Sequence, residues 1–475
     1  MPKQIWTAGL LVVLVLGVAL AWLVRSNRPA DEATAETETP RPSVLIFGLD
    51  TWRGDYLHFA GMEWLQTPNI DALARDGVYF SRCLATAPWT GPSFASLFTG
   101  LLPYRHGFYQ RTRGGLWPDI RTLAEMLSAA GYATGAYVTI SFLTGSFGMD
   151  RGFQVGDRFV DNGLGEAAKQ VTGMGQRFVQ NFREVPFFLM LHYYDIHSPY
   201  SSPAPFDEMY YDGDARGPGE PLTEFLASDR NALLKGFTEI YTWLDGITDP
   251  DYPRQQYAAG VTHADSHVGH VIGHLKQLGL YDDMLILLTS DHGEHLGEHD
   301  LYYAHSMPYQ EVLHVPLLIK LPGNRFAGTR QEEWVSIMDI LPTVLEVANL
   351  PVPEGLDGRG LLEQMAGRSS RQSSLLVAEH GPDETRYSKT IVDPPWKLVW
   401  LRENDQDHRE LYNLTRDPGE TDNVAADYPD IVDRLEARLW ELFDRENPLT
   451  DRGLDQPERL SEEERQRLRA LGYID

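Results

Sequence analysis

The segment SVLIFGLD at residues 43–50 decides the fold, because it is a short, continuously apolar run that ends in a carboxylate. Such runs are typical of parallel strands that are covered on both faces. Two later segments share the pattern, PFFLMLHYY at 186–194 and MLILLTS at 284–290. Amphipathic helical segments alternate with them. The sequence therefore predicts an α/β fold with a mostly parallel central sheet flanked by helices.

The predicted helices have recognisable ends. TPNIDALARDG at 67–77 and TLAEMLSAAG at 122–131 start with polar residues and end in glycine, and a longer helix at 256–279 leads into the third strand. Residues 201–256 are polar and loop-rich, which indicates an insertion over one rim. We predict that this catalytic domain spans residues 43–370.

Beyond about residue 370 the elements become shorter. Three strand-like segments and one helical segment make up this region: SSLLVAEHG at 373–381, WKLVWLR at 396–402, RELYNLT at 409–415 and DIVDRLEARLWELFDR at 430–445. They predict a smaller C-terminal α+β subdomain over residues 371–475.

The N-terminal segment, residues 1–28, contains twenty uncharged residues at 5–24, a length that spans a bilayer core. The tripeptide ALA at 19–21 also fits the cleavage site of a secretory signal. An uncleaved anchor is favoured because the apolar run continues past that site. Residues 29–42 lack large apolar side chains and predict a disordered linker. We therefore expect a single-pass cell-membrane protein whose catalytic domain is extracytoplasmic, either periplasmic or extracellular.

Charge and cysteine content exclude several classes of function. The 475-residue chain carries 41 Lys and Arg against 68 Asp and Glu, a net charge of -27. Nucleic-acid binding needs clustered cations, so no nucleic-acid partner is expected. The single cysteine, Cys83, excludes a disulfide framework and a multi-cysteine zinc site. An anionic substrate would need a local cation, such as a bound metal ion.

Polar side chains follow each of the three strands. Asp50 follows the first, Asp195 and His197 the second, and Asp291 and His292 the third. Ligands of open parallel sheets bind outside the carboxyl ends of the strands. If the strands share one sheet, these groups lie along one edge.

These residue types indicate a site for one divalent metal ion. Asp50 and Asp291 offer oxygens and His292 one nitrogen, a set that suits Ca²⁺, Mn²⁺ or Mg²⁺ and permits Zn²⁺. Thr90, in APWTGPSFASLFTG at 87–100, offers a hydroxyl that could complete the set. A metal ion would lower the pKa of this hydroxyl and make it a nucleophile. The alternative is that Thr90 only caps the following helix.

Other side chains could contact the anion. We expect the helix after Thr90 to begin at Pro92 or Ser93 and to direct its positive dipole end at the site. His197 and His305 would bind the outer oxygens of the anion or protonate a leaving group.

Three further residues are weaker candidates for substrate binding. Arg53 could position substrate, although an internal ion pair explains it equally well. Asp195 either orients His197 or caps a turn. His380, at the end of a strand in the C-terminal subdomain, could approach the site.

Other histidines are interpreted as structural. His263, His267, His270 and His274 lie on one helical face, where histidines four residues apart can bind a metal. A surface or packing stripe is favoured, because no carboxylate partner is evident. His106 is likewise interpreted as a hydrogen-bonded structural residue.

Over residues 42–475 the chain resembles the sulfatase family of the alkaline-phosphatase-like superfamily. Segments similar to the family's motifs occur in the family's order: SVLIFGLDTWRGDYL, TGPSFASLFTGLLPYRHG, LHYYDIHSPY, TSDHGEHLGEH and AHSMPYQEVLHVPLLIKLPG. The resemblance implies the family's fold, a metal site at Asp50, Asp291 and His292, and anion contacts from His197 and His305.

The sequence departs from the family's pattern where sulfate chemistry is concerned. Thr90 stands where the family has the Cys or Ser that becomes formylglycine, and a secondary alcohol cannot give that aldehyde. Phe94 replaces the motif's Arg, and Leu49 replaces the first of two adjacent Asp residues. The segment 135–143 lacks the family's Lys and His. A threonine nucleophile instead resembles the superfamily's phosphoglycerol and phosphoethanolamine transferases and its phosphodiesterases.

These observations predict a metal-dependent hydrolase or transferase that cleaves phosphate or sulfate esters through Thr90, with phosphoesters ranked first. The expected substrate is an anionic ester of a small molecule, glycan or lipid head group. One alternative is a sulfuric ester hydrolase of arylsulfatase type without formylglycine. An alternative of another class is a catalytically silent polyanion-binding or scaffold protein.

Overall fold

The computed structural model describes residues 41–109, 114–155, 167–227, 238–305, 307–368, 376–380, 386–404 and 406–443. The strands are β1 (Val44–Leu49), β2 (Val78–Leu84), β3 (Ala133–Tyr137), β4 (Phe187–Tyr193), β5 (Leu285–Ser290), β6 (His295–Leu296), β7 (Tyr302–Ala304), β8 (His314–Lys320), β9 (Thr329–Gln331), β10 (Val335–Ser336), β11 (Leu376–His380), β12 (Arg386–Asp393), β13 (Trp396–Glu403) and β14 (Gln406–Asn413).

The α-helices are α1 (Pro68–Asp76), α2 (Thr90–Thr99), α3 (Pro103–His106), α4 (Leu123–Ala129), α5 (Ala167–Phe182), α6 (Leu222–Ala227), α7 (Asp251–Gln277), α8 (Gln310–Leu313), α9 (Ile340–Val347), α10 (Leu362–Met365) and α11 (Pro429–Leu442). Short 3-10 helices lie at His58–Ala60, Ser141–Leu143, Gly145–Phe147, Phe206–Glu208, Thr238–Leu244, Tyr281–Asp283, Glu298–Asp300, Pro322–Asn324 and Ile337–Asp339.

The central sheet is mixed and mostly parallel, in the order β10-β2-β8-β5-β1-β4-β3, with β9 beside β2. β8 runs antiparallel to both of its neighbours. The three strands singled out in the sequence are adjacent and parallel, since β1 pairs with β4 on one side and β5 on the other. Leu49 lies in register with Tyr193 and with Ser290, so the three strands end at the same level. This register confirms that the strand ends share one edge.

Both faces of the sheet are covered by helices, as the continuous apolar pattern of β1 predicts. Val44 and Ile46 face a core that includes residues of α2, α4 and α9. Leu45, Phe47 and Leu49 face a second core with residues of α1, α5 and α7. The predicted helices at 67–77, 122–131 and 256–279 are therefore present and pack as expected.

The C-terminal region is an antiparallel sheet, β11-β12-β13-β14, against which α11 packs. The prediction of an α+β subdomain is correct, but the sequence interpretation omitted β12, which pairs with both β11 and β13. The backbone N–H of Glu379 donates to the carbonyl oxygen of Thr86 (2.8 Å), which connects β11 to the segment before α2.

The insertion predicted at 201–256 contains only short elements among its described residues, namely α6, two 3-10 helices and the start of α7. None of the helices in the described ranges is long and apolar enough to cross a membrane. The predicted membrane segment at 5–24 and most of the predicted linker at 29–42 lie outside those ranges.

Candidate metal and anion site

Three predicted metal ligands meet at the carboxyl edge of the sheet. Asp50, Asp291 and His292 each offer a ligand atom, and these atoms lie within 4.8 Å of one another. All three side chains are fully buried. Both Asp50 carboxylate oxygens and Asp291 Oδ2 have no hydrogen-bond partner among the described residues. Burying carboxylates without partners is costly unless a cation compensates them, so this group fits a divalent metal ion.

The electrostatics of the group agree with that fit. Burial and the neighbouring charge of Asp291 hold the pKa of Asp50 well above its usual range. Two buried carboxylates disfavour each other's charge, whereas a divalent ion between them would favour it.

Thr51 is a strained residue between the two carboxylates. Its φ is +55°, in the left-handed region that β-branched residues rarely adopt. Its backbone N–H donates to Asp291 Oδ1 (3.2 Å), and the next N–H, that of Trp52, donates to Ser290 Oγ (2.9 Å). The strained turn thus connects the end of β1 to the end of β5. Such outliers concentrate at functional sites.

Helix α2 begins earlier than the sequence indicates. It starts at Thr90, and Trp89 occupies the N-cap position without a side-chain capping bond. The expected start at Pro92 or Ser93 is wrong, and so is the interpretation of Thr90 as the cap. Instead, Thr90 Oγ1 lies 3.5 Å from His292 Nε2.

A second hydroxyl fixes the start of α2 to the carboxylate group. Ser93 Oγ donates to the carbonyl oxygen of Asp291 (2.6 Å). The first turn of α2, which carries Thr90, is therefore held directly over the end of β5. The sequence analysis assigned Ser93 no role.

His305 and His197 lie beside this group. The ring centroid of His305 is 4.2 Å from that of His292 and 5.5 Å from that of His197. Nδ1 of His305 lies 2.7 Å from the carbonyl oxygen of Pro88, and Nδ1 of His197 lies 2.6 Å from that of Ser198. A carbonyl only accepts, so Nδ1 carries a proton in both rings. Nε2 is then the nitrogen able to exchange a proton with a substrate.

Among the weaker candidates for substrate binding, Arg53 forms the internal ion pair that was considered for it. Its guanidinium lies 2.7 Å from Asp55 Oδ2 and 2.8 Å from Glu298 Oε1, and it donates to the carbonyl oxygen of Glu294. These contacts account for its burial without a substrate.

Asp195 has a partner that neither sequence interpretation included. Its Oδ1 lies 3.2 Å from Nδ1 of His263 on α7. His263 Nε2 in turn lies 3.2 Å from His267 Nε2, and His267 Nδ1 lies 2.9 Å from Thr172 Oγ1. The first half of the histidine stripe is therefore buried packing with a carboxylate partner, which the sequence did not reveal.

His380 of the C-terminal subdomain lies near Trp89, the residue before Thr90. The ring centroid of His380 lies 5.9 Å from that of Trp89, which also packs edge-on against His305 at 4.5 Å. His106 is a structural residue, as interpreted. Its Nδ1 accepts from the N–H of Phe108 (3.2 Å), and its Nε2 contacts Ser96 Oγ (3.1 Å).

Comparison with known proteins agrees with this geometry. The family model described as "Sulfatase" matches residues 42–350. The chain belongs to the sulfatase family. A second model, "N-sulphoglucosamine sulphohydrolase, C-terminal", matches residues 297–445. Sulfatases are ester hydrolases that typically bind a divalent metal ion, so the chain is an enzyme of this class.

The proteins that this chain resembles carry the names of different activities. An arylsulfatase of Clostridium perfringens is 26% identical over 86% of this chain and 96% of its own length. The multifunctional alkaline phosphatase superfamily protein PehA of Trinickia caryophylli is 28% identical over 86% and 97%. A phosphonate monoester hydrolase of Agrobacterium radiobacter aligns with a TM-score of 0.69 at 24% identity, over 85% of this chain and 95% of its own.

A further structural neighbour was solved in complex with D-glucosamine-2-N,6-O-disulfate as its substrate. It aligns with a TM-score of 0.68 at 20% identity, over 87% of this chain and all of its own. At these identities the two solved structures establish the fold alone.

Proposed function

We propose that this protein cleaves or transfers phosphate esters through Thr90. The observation that carries the proposal is that the Thr90 hydroxyl lies next to the buried group formed by Asp50, Asp291 and His292. These three residues, with Thr90 Oγ1, would hold one divalent ion. The bound ion would lower the pKa of the hydroxyl and offset the charge of the substrate anion.

The chain's own residues then account for the reaction. Thr90 Oγ1 loses its proton to water and attacks phosphorus, and the bond from phosphorus to the leaving alcohol oxygen breaks. His197 or His305, protonated at Nε2, gives that oxygen its proton. Water or a second alcohol then gives its proton to Nε2 of the same histidine and attacks phosphorus, and the bond to Thr90 breaks as Thr90 Oγ1 regains a proton from water.

Phosphorus is ranked above sulfur on chemical grounds. Threonine cannot become formylglycine, and a sulfated threonine has no aldehyde hydrate through which to eliminate sulfate. A phosphothreonine is resolved by a second attack at phosphorus. Phe94, in the place of the motif's Arg, is fully buried and packs edge-on against His192 at 5.3 Å, so no cation occupies that position.

Sulfate ester hydrolysis is the second candidate. The observation that favours it is the arylsulfatase of Clostridium perfringens, which aligns over nearly its whole length. For either reaction we propose an anionic small-molecule, glycan or lipid-head-group ester as substrate. We also propose that residues 5–24 anchor the protein and place its catalytic domain outside the cytoplasm, based on the uncharged apolar run there.

The test is turnover of an aryl phosphodiester, an aryl phosphate monoester and an aryl sulfate with Mn²⁺, Mg²⁺, Ca²⁺ or Zn²⁺ added. We expect hydrolysis of a phosphate ester that Thr90→Ala abolishes. Thr99→Ala is the matched control, because Thr99 is a buried threonine at the other end of α2 whose hydroxyl donates to the carbonyl oxygen of Ala95 and accepts from the N–H of Leu101. Turnover of the aryl sulfate alone would reverse the ranking of phosphate esters above sulfate esters. Full activity of Thr90→Ala would contradict the assignment of Thr90 as the nucleophile.

A further inference from the structure

His192 is a buried histidine of β4 whose side chain is directed at the metal ligands. It is fully buried and lies in register with Gly48 of β1, two residues before Asp50. Successive side chains of a strand alternate between its faces, so Gly48, Asp50 and His192 belong to the same face. On that face His192 Nε2 lies 3.4 Å from Asp50 Oδ2.

Neither His192 Nε2 nor Asp50 Oδ2 has a hydrogen bond to any residue in the described part of the chain. Buried polar atoms normally have hydrogen-bond partners, so two such atoms that face each other without a bond need an explanation. A small movement of either side chain would shorten 3.4 Å to an ordinary N–H···O hydrogen bond.

The other ring nitrogen determines which tautomer is present when this bond forms. His192 Nδ1 lies 2.9 Å from the hydroxyl of Thr139, just beyond the end of β3. The same hydroxyl lies 3.4 Å from the carbonyl oxygen of His192, so Nδ1 is the nearer of its two acceptors. When the hydroxyl donates to Nδ1, a neutral imidazole carries its proton on Nε2 and can donate to Asp50. Thr139, His192, Asp50 and Asp291 thus form a row across four adjacent strands, β3, β4, β1 and β5.

We propose that His192, oriented by Thr139, is a positioning residue that holds Asp50 in place for metal binding. The inference rests on the metal site of the proposed function. Partners that hydrogen-bond to a ligating carboxylate fix its orientation and raise metal affinity. Leu49, the residue before Asp50, offers no second carboxylate, and Phe94, which packs against His192, offers no cation, so His192 is the donor that the structure places near Asp50.

The test is the affinity of the purified protein for Mn²⁺ alone, measured by titration calorimetry. We expect His192→Phe, which fills the space without a donor, to weaken Mn²⁺ binding by about 10- to 100-fold. His192→Gln restores a donor near the Nε2 position, so its affinity should return to within a few-fold of wild type. Thr139→Val keeps the shape but removes the hydroxyl, and should weaken binding by a smaller factor.

Two reference variants separate the possible failures. His106→Phe removes another fully buried histidine, and we expect wild-type affinity for Mn²⁺ even if its melting temperature falls. Asp291→Asn should abolish binding. If Asp291→Asn binds Mn²⁺ normally, the metal site of the proposed function is wrong. If Asp291→Asn fails to bind but His192→Phe and Thr139→Val bind as wild type does, only the role of His192 is overturned. Should His192→Phe not fold, wild-type affinity in Thr139→Val would by itself overturn it.

Discussion

Replacing Asp50 with asparagine should stabilise the metal-free protein and destabilise the metal-bound one. The ligand atoms of Asp50 and Asp291 lie within 4.8 Å. Two full charges at 4.8 Å repel by about 3.5 kcal/mol at an effective dielectric constant of about 20. Asparagine removes this repulsion and breaks no hydrogen bond of the Asp50 carboxylate with a described residue.

The effect should depend on pH, because burial and Asp291 raise the pKa of Asp50. An acid whose pKa is raised by folding contributes stability below its unfolded pKa, and that contribution is lost as the pH rises through its folded pKa. In a chelator, the wild-type free energy of unfolding should therefore fall as the pH rises above about 4, and that of Asp50→Asn should fall less. At pH 8 we expect the variant to be more stable by about 1–3 kcal/mol.

The assay is urea denaturation at several pH values, with chelator or with saturating Mn²⁺. Bound Mn²⁺ stabilises only a protein that binds it, so the order of stabilities should reverse when the ion is added. Asp265→Asn is the matched control. Asp265 is a buried carboxylate that accepts hydrogen bonds from Asn69 and from the N–H of Ile70, and it is not one of the proposed metal ligands. Its replacement should therefore change the free energy of unfolding by the same amount with chelator and with Mn²⁺. Equal destabilisation of Asp50→Asn with and without Mn²⁺ would refute the reasoning.

Three further predictions concern single residues. Thr90→Ser, which keeps a hydroxyl, should retain measurable turnover in the aryl ester assay, whereas Thr90→Val should retain none; equal rates would contradict the nucleophile. Burial lowers the pKa of His106 to about 3. Its neutral form therefore contributes stability above about pH 6.5 that is lost toward pH 3, up to about 4–5 kcal/mol, and His106→Asn should flatten that part of the denaturation profile. A Cβ on Gly293 would lie 1.9 Å from the carbonyl oxygen of Glu311. Gly293→Ala should thus cost about 1–3 kcal/mol in urea denaturation and weaken Mn²⁺ binding, and unchanged values would contradict this packing.

The central sheet could be predicted because each of its key strands has a signal of its own. The continuous apolar runs that end in Asp50 and Asp291 indicate buried parallel strands, and parallel strands present their carboxyl ends on one edge. β12 was overlooked because its residues, RYSKTIVD at 386–393, are mostly polar and are followed by a pair of prolines. Its place in the sheet comes from pairing with β11 and β13, which is a tertiary property.

The parts of the site that the sequence did not reveal depend on register or on strained backbone. His192 lies inside an apolar strand, and only its pairing with Gly48 shows that it faces Asp50. Thr51 is β-branched, which argues against the left-handed conformation that it adopts. Asp195 and His263 are far apart in sequence, so their contact could not be read from either motif.

The start of α2 was also mispredicted because it depends on tertiary packing. Pro92 favours the first turn of a helix, so the sequence placed the start there or at Ser93. In the structure the first turn already includes Thr90 and Gly91, and a Cβ on Gly91 would lie 2.2 Å from the ring of Phe108. The packing of Phe108 against this glycine helps to set where the helix begins, and with it the position of Thr90.

The central claim is that Thr90 forms the covalent intermediate, and the most direct test is to trap it. The protein with Mn²⁺ is mixed with an excess of an aryl phosphodiester, quenched in acid within milliseconds, digested and analysed by mass spectrometry. The account predicts a phosphoryl adduct on the peptide that contains Thr90, located at the Thr90 hydroxyl and absent in Thr90→Ala. Turnover of the diester with the adduct on another residue, or with no adduct at any quench time under conditions where product is released in a burst, would contradict it.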